Sequence, residues 1–148
     1  MDKVIVKVKG RQTDAVGGVS TIEMVAEGRH YFRNGKHYVL YNDDMMCADS
    51  PPTETVLKIA PDSLQLLRKG SVSHEQYFAA NALSQSEYKT PYGKMQLEVK
   101  TDKINIVYGN VSGSIEVDYV LSVNGQLQGR NELNIEVNVA DDAVNRLN

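Results

Sequence analysis

Apolar and polar side chains alternate with period two along almost the whole chain, and no stretch holds the i, i+3, i+4, i+7 spacing of an amphipathic helix for long. Such alternation puts one row of side chains on each face of an extended strand, so the chain is expected to be all-β. Expected strands run over Lys3 to Arg11, Ser20 to Arg33, Lys36 to Asn42, Thr53 to Ala60, Leu64 to Lys69, Val72 to Ala79, Glu87 to Thr90, Lys94 to Thr101, Lys103 to Tyr108, Ser114 to Val123 and Leu127 to Val139. Between them stand Gly17-Gly18, Asn34-Gly35, Pro51-Pro52, Pro61-Asp62, Pro91-Tyr92-Gly93, Gly109-Asn110 and Asn124-Gly125, residue types that reverse a chain. The connections are too short for helical crossovers, so consecutive strands should pair antiparallel as a meander. Only Ala79 to Gln85 could hold a helical turn.

A chain of 148 residues is one domain, expected over residues 1–140 with a polar tail at 141–148. Strands this numerous bury an apolar face either by stacking two sheets or by closing on themselves, and a meander with strands of about eight residues or more favours closure, which removes exposed edges. The expected architecture is a single antiparallel meander closed into a β-barrel of about eight or more strands. A barrel of that size is filled by side chains or holds one small ligand.

Charge narrows the partners. With 16 basic and 19 acidic residues the net charge is −3, and neither half carries a block of one sign, which argues against a nucleic-acid partner. No apolar run approaches the ~20 residues of a spanning helix, so no membrane partner is expected. Met1 to Lys9 alternates Lys with β-branched residues where a secretory signal needs an unbroken apolar core. The lone Cys47 cannot form an internal disulfide. A cytoplasmic location is the expectation.

The alternation also predicts register, because a one-residue slip turns every side chain to the other face. A two-residue loop at Asn124-Gly125 would mix the faces of the last hairpin. A three-residue loop with a bulge, Asn124-Gly125-Gln126, sets Val117 opposite Leu133, Ile115 opposite Ile135 and Tyr119 opposite Asn131. A four-residue loop over Ala60 to Ser63 pairs Ile59 with Leu64, Leu57 with Leu66 and Thr55 with Arg68, so Arg68 points with the leucines. A two-residue loop at Asn34-Gly35 pairs Tyr31 with Tyr38 and Phe32 with His37. If Ile22, Met24 and Ala26 mark the inner face and no bulge intervenes at Gly28, then His30, Phe32, His37, Val39 and Tyr41 also face inward.

Few residues carry chemistry in a recognisable pattern. His30 and His37 fall diagonally on one face, within reach of bridging imidazoles. A zinc site needs a third protein ligand, and neither Cys47 nor His74 has a spacing that supplies it, so no metal and no cofactor are expected. Asp43, Asp44 and Asp49 lack the twelve-residue calcium pattern, no phosphate loop or nucleophile elbow occurs, and Glu23, Glu27, Glu98, Glu116, Asp118, Glu132 and Glu136 all fall on outward rows. No catalytic residue can be assigned. Arg68 stands out, because a guanidinium among apolar neighbours must be paired or meet an anion at a rim. Tyr88-Lys89-Thr90-Pro91-Tyr92-Gly93 is the densest local motif, a tight turn bracketed by tyrosines.

These residues carry a family resemblance. The run through Glu27-Gly28, Tyr31, Asn34-Gly35, Tyr38, Tyr41, Leu67-Arg68, Gly70, Phe78, Tyr88-x-Thr90-Pro91-Tyr92-Gly93, Thr101, Tyr119, Asn124-Gly125 and Asn131-x-Leu133 resembles the small YwiB-like bacterial proteins, over nearly the whole chain. The resemblance implies a calycin-like, lipocalin-like β-barrel and lends no activity or ligand. The Gly-x-Trp of true lipocalins is absent, since the chain has no Trp.

The expected function is binding of a small molecule or anion in the barrel lumen or mouth, with Arg68 as anchor and Tyr88, Thr101, Tyr119, Asn131 and His74 as a hydrogen-bonding wall. The alternative is a protein-interaction or structural module with a filled core, displaying an apolar patch across Val25, Tyr31, Tyr38 and Leu40 and forming a homodimer.

Overall fold

In a computed structural model that describes residues 1–43, 53–70 and 73–140, ten strands follow one another and all pair antiparallel. They are β1 (Asp2–Asp14), β2 (Val19–Arg33), β3 (Lys36–Asp43), β4 (Thr53–Ile59), β5 (Ser63–Lys69), β6 (His74–Ala79), β7 (Leu83–Thr90), β8 (Gly93–Tyr108), β9 (Gly113–Val123) and β10 (Gln126–Val139). Their order across the sheet is β6-β5-β4-β3-β2-β1-β10-β9-β8-β7, two meanders joined where β1 pairs with β10. The fold is an all-β, nearly closed barrel. The expected polar tail at 141–148 and the acidic loop with Cys47 lie outside the described residues.

Alternation places the core. Val4, Val6, Val39, Leu57, Ile59, Leu64, Phe78, Val99, Ile115, Val117, Ile135 and Val137 are all essentially sealed from solvent. They come from every strand except β2 and β7, so the inward rows meet across the barrel and fill it. Leu64 pairs with both Ile59 and Phe78 across the ladders, a continuous apolar course around one part of the wall. The acidic residues of the outward rows, Glu23, Glu27, Glu116, Asp118, Glu132 and Glu136, are exposed.

The structure departs from the sequence expectations at identifiable places. The helical turn expected at Ala79 to Gln85 is instead a reversal at Asn81, φ 60°, running straight into β7, whose Ser84 and Ser86 alternate with the exposed Leu83 and Gln85. The two strands expected either side of Asp102 are one, β8, with a bulge between Thr101 and Lys103 that keeps Thr101 and Ile104 on the inner face. The three-residue loop of the last hairpin is a two-residue turn, Asn124 at φ 51° and Gly125 at φ 81°, closed by a Val123–Gln126 pair. The extra residue that the register required is present, but as a bulge between Leu127 and Gly129. Downstream the pairs are those expected: Tyr119 with Asn131, Val117 with Leu133, Ile115 with Ile135.

The Asn34-Gly35 turn has both residues at positive φ, 53° and 77°, and pairs Tyr31 with Tyr38 and Phe32 with His37 as expected. Ile22 and Phe32, expected inside, are each 60% exposed. Ile22 pairs with Gly10, which offers no side chain, and β3 reaches along β2 only from Gly28 to Arg33. Phe32 sits one residue before the hairpin end, beyond the packed part of the lumen.

Gly129 shows how tightly the bulge is built. Its φ is +145°, and a Cβ there would fall on the carbonyl oxygen of Thr13 and lie 2.9 Å from Asp14 Cα. Gly129→Ala is therefore expected to cost about 2–4 kcal/mol in urea unfolding, through strain and backbone collision together. Gly125→Ala, with φ +81° but open space around the added methyl, should cost only about 1 kcal/mol.

Candidate functional site

The barrel is weakest where its terminal strands meet. β6 and β7 stand at opposite ends of the strand order, joined in sequence by the turn in which the Ala82 N–H donates to the Ala79 carbonyl at 3.0 Å. At their far ends Ser73 and Lys89 exchange two backbone hydrogen bonds of 3.0 Å, an isolated bridge. Over this seam lies an open groove of about 460 Å³, whose lining includes Arg68, His74, Ser84, Ser86, Glu87 and Lys89. Arg68, His74, Ser84 and Ser86 belong to inward rows, so the groove is a slot reaching from the outer surface into the wall.

Arg68 and His74 are cross-strand partners, and Thr55 pairs with Arg68 on its other side. The His74 ring stands edge-on to Tyr88, centroids 5.0 Å apart and planes at 71°. This joins Thr55, Arg68 and His74 to the strand across the seam. Both ring nitrogens of His74 are closed off from solvent and have no hydrogen-bond partner among the described residues; the hydroxyl of the fully buried Thr55 is in the same condition. Burial, reinforced by the Arg68 guanidinium, pushes the His74 pKa down to about 4. At neutral pH the ring is uncharged, with one N–H donor and one lone pair unused.

Thr101, Tyr119 and Asn131 form a second group. Tyr119 pairs with Thr101 on β8 and Asn131 on β10, and Asn131 pairs in turn with Gln12 of β1. Thr101 Oγ1 and Asn131 Nδ2 are buried without partners among the described residues, and burial pushes the Tyr119 hydroxyl up to about 12. Phe78 lies against Tyr119 at 4.9 Å. Phe78 and His74 are four residues apart on one face of β6, roughly 13 Å at strand rise. The six residues expected to form one wall therefore divide: Arg68 and His74 line the slot with Tyr88 against the His74 ring, and Thr101, Tyr119 and Asn131 form a separate polar layer inside. Sequence reasoning missed Thr55, although its pairing with Arg68 on an inward row was the signal, and Gln76, which is buried between His74 and Phe78.

The remaining histidines do bridge. His30 Nε2 lies 2.9 Å from His37 Nδ1, and His30 Nδ1 lies 3.0 Å from Asp2 Oδ2. Both ring nitrogens of His30 are thus engaged, and no cluster of three metal-ligating side chains occurs among the described residues.

The fold and its slot can be set beside known proteins. The sequence model of a domain of unknown function, DUF1934, matches residues 6–135. The chain belongs to that family. A relative, the uncharacterized β-barrel protein YwiB of Bacillus subtilis strain 168, is 24% identical over 119 residues, covering 80% of this chain and 82% of the relative. The crystal structure of the ywiB protein from Bacillus subtilis superposes with a TM-score of 0.82 at 23% identity, covering 95% of this chain and 93% of that one. The likeness shows that this chain has the β-barrel fold of the ywiB protein.

The depressed pKa of His74 makes a stability prediction. Below 6.5 the unfolded chain takes up a proton that the folded ring refuses until about pH 4, so stability is full above pH 6.5 and falls as pH drops through that window. At about 1.4 kcal/mol per unit the loss amounts to about 3 kcal/mol. Urea unfolding at pH 7 and pH 4 should show wild type losing about that much more than His74→Phe, which has no proton to gain.

Proposed function

We propose that this protein binds a small anionic or polar ligand in the slot between β6 and β7, with Arg68 and His74 as the recognising groups and Tyr88 as the flanking ring. One observation carries the reading: an open groove of about 460 Å³ ends on an inward-facing guanidinium and on an imidazole whose two nitrogens have no partner among the described residues. Those nitrogens have already lost water, so a ligand atom that reaches them gains a hydrogen bond without a further desolvation cost. Reaching them requires a side chain of the groove floor to turn aside, and the seam, with a single bridge at one end, is where the wall yields most easily. Arg68, Lys69 and Lys89 line the same groove as Glu75 and Glu87, a mixed rim that suits a carboxylate or phosphate carrying a donor of its own. Placing the ligand in the wall rather than the lumen follows from the filled core. A single cysteine suits a reducing compartment, and a cytoplasmic setting is part of the proposal.

A thermal-shift screen with small carboxylates, inorganic phosphate and pyrophosphate tests it. At one hundred times Kd a true ligand adds about 2.7 kcal/mol and raises Tm by several degrees. The rise should vanish in both Arg68→Ala and His74→Phe. If no compound raises Tm, or if the variants respond as wild type does, the binding reading fails.

The rival reading, an interaction module with a filled core, is favoured by one feature of the outer face. Tyr31 and Tyr38 stack there with ring centroids 4.7 Å apart and planes within 3°, on the strand pair that also exposes Val25 to 66%. A homodimer through that face should sediment as twice the monomer mass, and Tyr38→Lys should return it to monomer.

A further inference from the structure

The Asp2, His30 and His37 side chains form a continuous chain across three strands, tied down at both ends. Asp2 of β1 pairs with His30 of β2, which pairs with Val39 of β3, and His37 lies two residues back along β3. His30 is 1% exposed, and its ring is stacked on His37 at 5.1 Å and on Tyr108 of β8 at 5.9 Å. His37 lies 4.3 Å from the Tyr108 ring and 4.8 Å from Phe32. Tyr108 in turn donates its hydroxyl to the Val111 carbonyl at 2.6 Å, which ties the loop after β8 to the same cluster.

We propose that the Asp2–His30–His37 chain is a proton-operated latch, which fastens the start of β1 to the β2–β3 hairpin at neutral pH and releases it in acid. The chemistry follows from counting protons. The Asp2 carboxylate accepts from His30 Nδ1–H, so neutral His30 presents a lone pair at Nε2, which accepts from His37 Nδ1–H. His37 Nε2 then carries the remaining lone pair. One added proton, placed on that nitrogen, leaves every hydrogen bond in place. A second proton goes to His30 Nε2 and sets two N–H groups face to face across 2.9 Å, with a positive charge on each ring. The contact holds one extra proton and not two.

The groups facing the pair are Asp2 from β1 and Tyr108 from β8; Ile59 of β4, opposite His37, and Phe32 carry no charge. Burial, with a smaller part from Asp2, pushes the Tyr108 hydroxyl up to about 12, so it stays neutral throughout the range in question. Among the described residues, Asp2 is thus the facing anion. Burial and the neighbouring His30 hold the His37 pKa below its ordinary 6.5. His37, free in the released form, takes up a proton more readily than in the latched form as pH falls below 6.5, and acid therefore drives release.

Hydrogen exchange read by mass spectrometry between pH 7 and pH 5, corrected for the intrinsic rate, is the test. Wild type should lose protection at least tenfold over the first residues of β1 and over the β2–β3 hairpin, while β9 and β10 stay protected. His37→Phe keeps a ring against Phe32 and Tyr108 but takes no proton, and should lose the acid step. Asp2→Asn, at a position whose side chain is half exposed, removes the anion that offsets the second proton and should move the step up by at least half a pH unit. Unchanged protection in wild type overturns the latch, as does an equal acid step in His37→Phe or an unshifted step in Asp2→Asn.

Discussion

Ten strands with one apolar face each can satisfy the hydrophobic effect only if the sheet turns that face on itself, and every other feature of the molecule follows from how it closes. The pairing of β1 with β10 carries most of that task, with eleven residue pairs from Val4–Val139 to Asp14–Gly129. It joins two meanders whose outer strands, β6 and β7, follow one another in sequence through the turn at Asn81. The remaining closure falls to β6 and β7, which are short and, among the described residues, are linked by the Ser73–Lys89 bridge, the turn between them and the His74–Tyr88 contact. A barrel closed by a long ladder on one side and a sparsely bonded seam on the other has its weaker wall at a defined place, and His74, with no hydrogen bond among the described residues, lies beside it.

Much of this was legible in the sequence because strand periodicity and turn chemistry are local. The inward rows of β4, β5, β9 and β10, and the cross-strand partners of Tyr119 and Arg68, follow from parity and from Asn-Gly or Pro-Asp at the reversals. The position of the extra residue in the last hairpin was not legible, since a bulge at Asn124-Gly125-Gln126 and one between Leu127 and Gly129 give the same downstream register. What decides between them is Gly129, which alone allows β10 to approach the Thr13 carbonyl of β1, a contact between distant parts of the chain. Parity likewise marks Ile22 as inward without revealing that its partner Gly10 leaves it uncovered. The candidate site was half legible: the polar residues were found, but their division into two layers depends on how far each strand runs before it meets its neighbour.

The three histidines illustrate how one side chain acquires opposite characters from its surroundings. His30 is as buried as the apolar core, yet both its nitrogens are paired, and the carboxylate on one side orders the tautomer that the next ring reads. His74 has a cation beside it instead of an anion and no hydrogen bond among the described residues. The first arrangement is complete in itself and responds to protons. The second is incomplete, and burial of unpaired polar atoms costs roughly 1–3 kcal/mol each unless something completes it.

That cost distinguishes the two polar layers. Thr101 Oγ1 and Asn131 Nδ2 flank Tyr119 in the middle of long ladders, where β8, β9 and β10 fix the backbone on both sides and the residues' freedom to adjust is small. Strain tolerated there is repaid by the apolar rows packed around it, Leu133 and Val117 on one side and Phe78 on another. His74 lies on β6, the short strand at the seam, with Arg68 beside it on β5 and Thr55 behind on β4. A neutral histidine kept beside a guanidinium next to the seam is the feature on which the proposed ligand site rests.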